Sequence, residues 1–425
     1  MLGTHTAVPC GRTVVIRRQL TKPSPSKKFQ YLNQPVFKAY KLRTCEGSCR
    51  AKDHNLFREF QFTMRVQFTT KLLEKFFKHE LAIDLGSVNT LIYDPSEGIL
   101  LNEPSVVAID KYDGEVIAVG HHALKLLGRE PRGIEVHRPI HCGTIFNFEV
   151  TTKMLRTFLL KVMDGYRRGD FVVGIPGSAT PVEQRSVRDA VRDAGGGRVD
   201  LIDEGLAAGL GAGLSFDDER AHLVVDIGGG TTNIAIVASG GIVSSISLPA
   251  AGNAMDEAIR DYIRSKYCVH IGECSAEQVK KQLGALHEEN RFEGEASLEV
   301  VGKNLIDGSA SAINVTSEEV REALEPILSE IVAGAQRMIE DAQPEAVADI
   351  YYAGIILTGG GSLLKGMKER LKEELELHVT VPENPMTTVV IGAGVLLGDH
   401  QQLYRCSVKQ DLPVWEGSEE LVVTW

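Results

Sequence analysis

Beyond residue 80 the chain alternates two kinds of apolar pattern. Short runs rich in β-branched residues read as buried strands: LAIDLG at 81–86, SVVAID at 105–110, FVVGIP at 171–176, LVVDIG at 223–228, IAIVAS at 234–239 and GIILTG at 354–359. Between them, the stretches 151–164, 181–194, 255–267 and 318–341 carry apolar residues at helical spacing. Such alternation predicts α/β layers, with helices covering sheets. Two of the strands end in an acid with a glycine two positions on, Asp84-Leu85-Gly86 and Asp226-Ile227-Gly228, about 140 residues apart. A duplicated turn of this kind predicts two related lobes facing a cleft.

The first 80 residues are different. Residues 1–63 show no sustained apolar period and place Pro23, Pro25 and Pro35 among basic residues. They read as a disordered or non-native extension, translated upstream of a natural start at Met64; a basic, acid-poor transit peptide is the competing reading. Across 64–79, Val66, Phe68, Leu72, Leu73, Phe76 and Phe77 recur near helical spacing, interleaved with Arg65, Lys71, Lys75 and Lys78. This is a short basic amphipathic helix. It suits a membrane surface, through apolar insertion and attraction to anionic lipid; packing on its own domain is the competing reading.

Charge sharpens the division. Residues 1–63 hold 12 Lys and Arg against 3 Asp and Glu, and the remainder 34 against 54. An acidic body argues against general nucleic-acid binding, because phosphate neutralisation needs a basic face. The seven cysteines form no CxxC pair and have no histidines at zinc-ligand spacing, which points to neither a disulfide framework nor a metal knuckle and fits a reducing cytosol. No run of 18 apolar residues is present to span a bilayer.

The candidate chemistry lies in three glycine turns. In DLGSVNT, Asp84 ends a strand and Gly86 opens a turn through Ser87, Val88, Asn89 and Thr90; in DIGGGTTNIAI, Asp226 precedes Gly228, Gly229, Gly230, Thr231 and Thr232. Glycine lets backbone N–H groups approach phosphate oxygens, and hydroxyl and amide side chains add donors. The two aspartates suit a hydrated Mg²⁺, which takes a few carboxylates plus water. The third turn, LTGGGSLLKG, sets Gly359, Gly360, Gly361, Ser362 and Leu363 between a strand and a helix, where free amides suit a nucleoside or its phosphates. A single D-x-G at a strand end is often an ordinary β-turn; the three in order carry the reading.

The ordered set resembles the actin, Hsp70 and sugar-kinase ATPase superfamily. Longer runs, LNEPSVVAID at 101–110, AVGHHALKLLGREP at 118–131, LIDEGLAAGLGAGL at 201–214 and IGECSAEQVKKQLG at 271–284, resemble the bacterial actin homologues of the MreB family over residues 80–400. The resemblance implies a two-lobed actin-like ATPase fold of duplicated ribonuclease-H-like domains. Residues 80–222 with 391–400 would form one lobe and 223–390 the other, with small outer subdomains at 108–140 and 257–330 and a tail at 401–425. It implies ATP and Mg²⁺ as ligands, Glu204 as the residue that activates the attacking water with Thr231 beside it, and ribose and adenine contacts from Glu277, Lys280 and the adjoining Lys281. As a bare i,i+3 pair, Glu277 and Lys280 also read as a surface salt bridge.

Three departures stand out. The family's DGxIxD pattern is CGTIFN here, with Cys142 and Asn147 in place of aspartates, and Gly205 stands where a proline usually follows the glutamate. The expected effects are slower metal-dependent chemistry and a looser turn at Glu204. The apolar loop by which some relatives insert into membrane is replaced by Tyr166-Arg167-Arg168-Gly169-Asp170, leaving the 64–79 helix to do that work. The function implied is a self-assembling cytoskeletal filament on the inner face of the cytoplasmic membrane, partnered by the cell-wall elongation machinery and other rod-shape proteins. A small-molecule kinase on the same fold is the rival reading. An Hsp70-type chaperone fits less well, since nothing after residue 400 is long enough for a peptide-binding domain.

Overall fold

The computed structural model describes residues 79–163, 169–286 and 296–408. The calls on 1–63, on the helix bearing Val66, Phe68, Leu72, Leu73, Phe76 and Phe77, and on the tail beyond residue 408 lie outside the described residues.

Strand β1 (His79–Leu85) buries Leu81, Ala82 and Ile83 completely, as a continuous apolar run must when both faces of a sheet are covered. It pairs antiparallel with β2 (Asn89–Asp94), which pairs with β3 (Gly98–Pro104). Helix α1 (Phe148–Val162) carries the chain to β4 (Gly169–Ile175), parallel to β1. Helix α2 (Pro181–Ala194) opens on Pro181 behind a reciprocal Thr180–Glu183 capping box and leads to β5 (Gly196–Asp203), parallel to β4. The sheet order is β5-β4-β1-β2-β3.

After helix α3 (Glu204–Gly211) the plan repeats. Strands β6 (His222–Ile227), β7 (Thr232–Ala238) and β8 (Gly241–Leu248) form an antiparallel meander. Helices α4 (Gly252–Tyr267), α5 (Glu273–Leu283) and α6 (Ser317–Glu340) precede β9 (Ile355–Thr358), parallel to β6, and β10 (Val379–Thr380), parallel to β9. This sheet runs β10-β9-β6-β7-β8, the order of the first with each strand replaced by its counterpart. The duplicated acid-and-glycine turns are therefore the β1–β2 and β6–β7 hairpins. The SVVAID run forms a small sheet of its own, Val107–Asp110 between Val116–Val119 and Ile134–His137, and a second small sheet joins Val269–His270, Ser297–Asn304 and Ala310–Thr316.

Each lobe has its own apolar core, one including Leu81, Ile83, Phe158 and Phe171, the other Leu223, Ile234, Ile259 and Leu324. A third core joins them. Helices α3 and α7 (Thr388–Leu397) lie between the sheets, and Leu206, Ala207, Val390 and Ala393 meet Ala82 and Val172 of the first sheet and Val224 and Ala235 of the second. The two helices cross at glycine: a Cβ on Gly392 would collide with the Ala207 carbonyl, and one on Gly211 with the Thr388 carbonyl. Backbone-to-backbone contact of this kind leaves glycine as the residue that fits.

Candidate active site

The two hairpin turns meet tip to tip. A Cβ on Gly230 would collide with the Ser87 side chain and one on Gly229 with Val88, so the triple glycine lets the second turn close onto the first. Ser87 Oγ accepts from the Gly143 amide at 3.0 Å, fixing the first turn to the Cys142-Gly143 corner. In the third turn Gly359 has φ of +80°, and a Cβ there or on Gly361 would collide with Ile227, whereas Gly360 faces open space. Together these turns bound a cavity of about 530 Å³ between the lobes.

The cavity collects most residues picked out from the sequence. Asp84, Gly86, Ser87, Val88 and Asn89 line it from the first turn; Asp226, Gly228, Gly229, Gly230 and Thr231 from the second; Gly359, Gly360, Gly361 and Leu363 from the third. Glu204, Glu277, Lys280 and Lys281 line it as well. Three expected donors do not. Thr90 is fully buried with its hydroxyl against Ser105 Oγ at 2.9 Å, Thr232 is fully buried and donates to the Ala250 carbonyl at 2.5 Å, and Ser362 donates to the Gly359 carbonyl at 2.6 Å. Thr232 begins β7 opposite Ile227, and strand alternation turns it inward, away from the cleft.

Three acids converge here with no lysine or arginine paired to any of them among the described residues. Burial pushes Asp84 up to about 7. Asp226 is also pushed up to about 7, by burial and then by the charge of Asp84. Glu204, on the first turn of α3, lies well above the usual carboxylate range because it is buried and then because Asp84, Asp226 and Asp203 repel its charge. No group of three or more His, Cys, Asp or Glu is close enough to enclose a metal ion among the described residues. Two uncompensated strand-end carboxylates open to water fit a divalent cation that keeps most of its hydration and takes its other oxygens from a bound phosphate.

In the wall of the second lobe the expected Lys280, Glu277 and Lys281 meet partners, and Arg138 and Glu273 meet each other, in ways no local motif announced. Lys280 is buried, pairs with Asp256 at 2.9 Å and donates to the Gly252 carbonyl at 2.8 Å. Asp256 is nonetheless pushed up to about 6, burial outweighing the Lys280 charge. Glu277 pairs with Lys281, four residues on, at 2.6 Å; the i,i+3 pairing with Lys280 does not form. Arg138 and Glu273, one from each side of the cleft, pair at 2.6 Å at the cavity wall.

The departures acquire structural reasons. Asn147 is the N-cap of α1, its side chain accepting from the Val150 amide at 3.1 Å, which an aspartate would also do; neither it nor Cys142 lines the cavity. Cys142 and Gly143 form the two-residue corner between Ile140–His141 and Thr144–Ile145, both with positive φ, 46° and 70°. Gly205 sits in a closely packed turn. Its amide bonds the Asp203 carboxylate at 2.7 Å as part of the α3 cap, and a Cβ would stand 2.5 Å from that of Ala235 in the other lobe.

The profile of the MreB/Mbl protein family matches residues 78–405. The chain belongs to the MreB/Mbl family. The cell shape-determining protein Mbl of Bacillus subtilis (strain 168) is 41% identical over 329 residues, spanning 77% of this chain and 98% of that protein. The cell shape-determining protein MreB of Escherichia coli (strain K12) is 41% identical over 336 residues, 77% of this chain and 96% of that one. Among solved structures, MreB5 of Spiroplasma citri bound to AMPPNP is similar with a TM-score of 0.72 at 30% identity, over 77% of this chain and 98% of that one. The MamK double helical filament, at 22% identity and a TM-score of 0.64 over 76% of this chain and 99% of that one, shares the fold. The MreB/Mbl chain described here thus has the two-lobed actin-like α/β architecture.

Proposed function

We propose that the interlobe cavity binds ATP and hydrolyses it, and that the bound nucleotide sets an interlobe angle at which copies of the chain assemble head to tail into filaments. The observation that carries this is the convergence of three glycine turns and three unpaired acids in one cavity between the lobes. Support comes from the MreB5 structures of Spiroplasma citri bound to AMPPNP and to ADP and from the MamK filament. The β- and γ-phosphates lie between the amides of the two hairpin turns, and the nucleoside reaches toward Lys280 and the Gly360 turn. Asp84 and Asp226 would hold hydrated Mg²⁺, which supplies charge neutralisation at the phosphoryl oxygens. Glu204 accepts a proton from the attacking water, while Thr231 orients it.

The lobe division at about residues 80–222 with 391–400 and 223–390 belongs to the same proposal. So do a site of action on the inner face of the cytoplasmic membrane, a docking role for the 64–79 helix, and a part in organising cell-wall synthesis with the elongation machinery. Among the described residues no helix is long and apolar enough to cross a membrane. Pelleting of the full chain with ATP and Mg²⁺, with and without anionic liposomes, tests the whole reading. Assembly dependent on nucleotide supports it; ATP bound without assembly overturns the filament and favours a small-molecule kinase.

A further inference from the structure

Glu204 belongs to the first lobe, yet the groups that fix its carboxylate come from the second. Asn233, 3% exposed on β7, donates from Nδ2 to Glu204 Oε2 at 2.6 Å. An ionised carboxylate only accepts, so toward a deprotonated Glu204 the amide turns its nitrogen and points its oxygen away. That oxygen accepts from Ser247 Oγ at 2.6 Å, and Ser247 is the residue directly opposite Asn233 in the β7–β8 ladder. Two residues earlier, on the same face of β8, Ser245 Oγ donates to Asp203 Oδ2 at 3.3 Å. Asp203 is the N-cap of α3 and Glu204 its first residue.

We propose that β8 of the second lobe positions Glu204 of the first: Ser247 locks the Asn233 amide, the amide aims the Glu204 carboxylate, and Ser245 holds the cap from which Glu204 projects. This rests on the assignment of Glu204 as the group that activates water. Ser247 is a positioning residue, because it acts on the water only through Asn233 and Glu204 and does not line the cavity, whereas Asn233 does. The physical basis is directional. A glutamate has three rotatable bonds, and in a cavity where every neighbouring acid repels it, a single locked donor decides where its charge points. Since donor and acceptor sit on different lobes, a change of interlobe angle misaligns the carboxylate. Hydrolysis is thereby confined to one arrangement of the lobes.

The test is steady-state ATP hydrolysis by the full chain with Mg²⁺, comparing Ser247→Ala, Ser247→Thr and Asn233→Ala with the unaltered protein. Ser247→Ala is expected to lower kcat about tenfold with KM and ATP affinity within twofold, and Ser247→Thr, which keeps the hydroxyl, to restore it. Unchanged kcat in Ser247→Ala, or a raised KM with kcat intact, overturns the relay even if Asn233→Ala fails to fold. Glu204→Gln provides the separation: if it turns over normally while Ser247 and Asn233 are intact, the assignment of Glu204 itself is wrong and the relay falls with it.

Discussion

Asp226→Asn separates the electrostatic cost of the site from its purpose. Asp226 is 6% exposed, and its carboxyl is pushed from 3.8 to about 7. Between these values the folded chain holds more protons than the unfolded one, so stability falls as pH rises through that window and levels off above it. Asparagine is neutral throughout and escapes the penalty. From the two values, the variant's advantage in nucleotide-free protein is about 2 kcal/mol near pH 5.5 and about 4 kcal/mol near pH 8, both upper limits because the cleft admits water. Urea denaturation in the presence of a chelator at the two pH values reads the difference directly. Adding ATP and Mg²⁺ at pH 8 should reverse the order, stabilising the unaltered chain and leaving the variant nearly unmoved. An advantage that is the same at both pH values would refute the account of Asp226 as an uncompensated buried charge.

Gly205→Ala, whose Cβ would press on Ala235 across the lobes, should cost about 1–3 kcal/mol of stability in the same denaturation assay. Cys142→Asn should raise stability by about 1 kcal/mol, since asparagine tolerates the positive φ of that corner better than cysteine does. Cys274 is exposed and lines the cavity, so alkylation at that thiol, followed by mass spectrometry, should slow several-fold when ATP is bound, while Cys268, outside the cavity, keeps its rate.

The layers and the paired turns were legible because each rests on local pattern: an apolar run, then an acid, then glycine. Helix ends were legible to within a few residues. The run expected from residue 151 begins at Phe148 because Asn147 caps it, and the one expected over 318–341 is Ser317–Glu340 behind its Thr316 cap. Side-chain direction was not legible. Thr231 and Thr232 are neighbours of like chemistry, and only the register of β7 against β6 decides that one lines the cleft and the other is buried. Asn233, Ser247, Asp256 and Arg138 were missed for another reason: each gains its role from a partner 14 to 135 positions away, and no short motif records such a meeting. Gly205 read in the sequence as a loosened turn, and its close approach to Ala235 of the opposite lobe was not legible there.

The last long helix of the described chain has a consequence for synthesis. α7 covers the face of β1 and β4 that carries Ala82 and Val172, yet it is encoded some 300 residues after β1. At roughly 5–20 residues per second, that apolar face emerges and waits on the order of 15–60 s for its cover. The first lobe therefore cannot complete its fold as an independent early unit on the ribosome. Truncation before residue 388 would uncover that face of the first lobe as well as shorten the second.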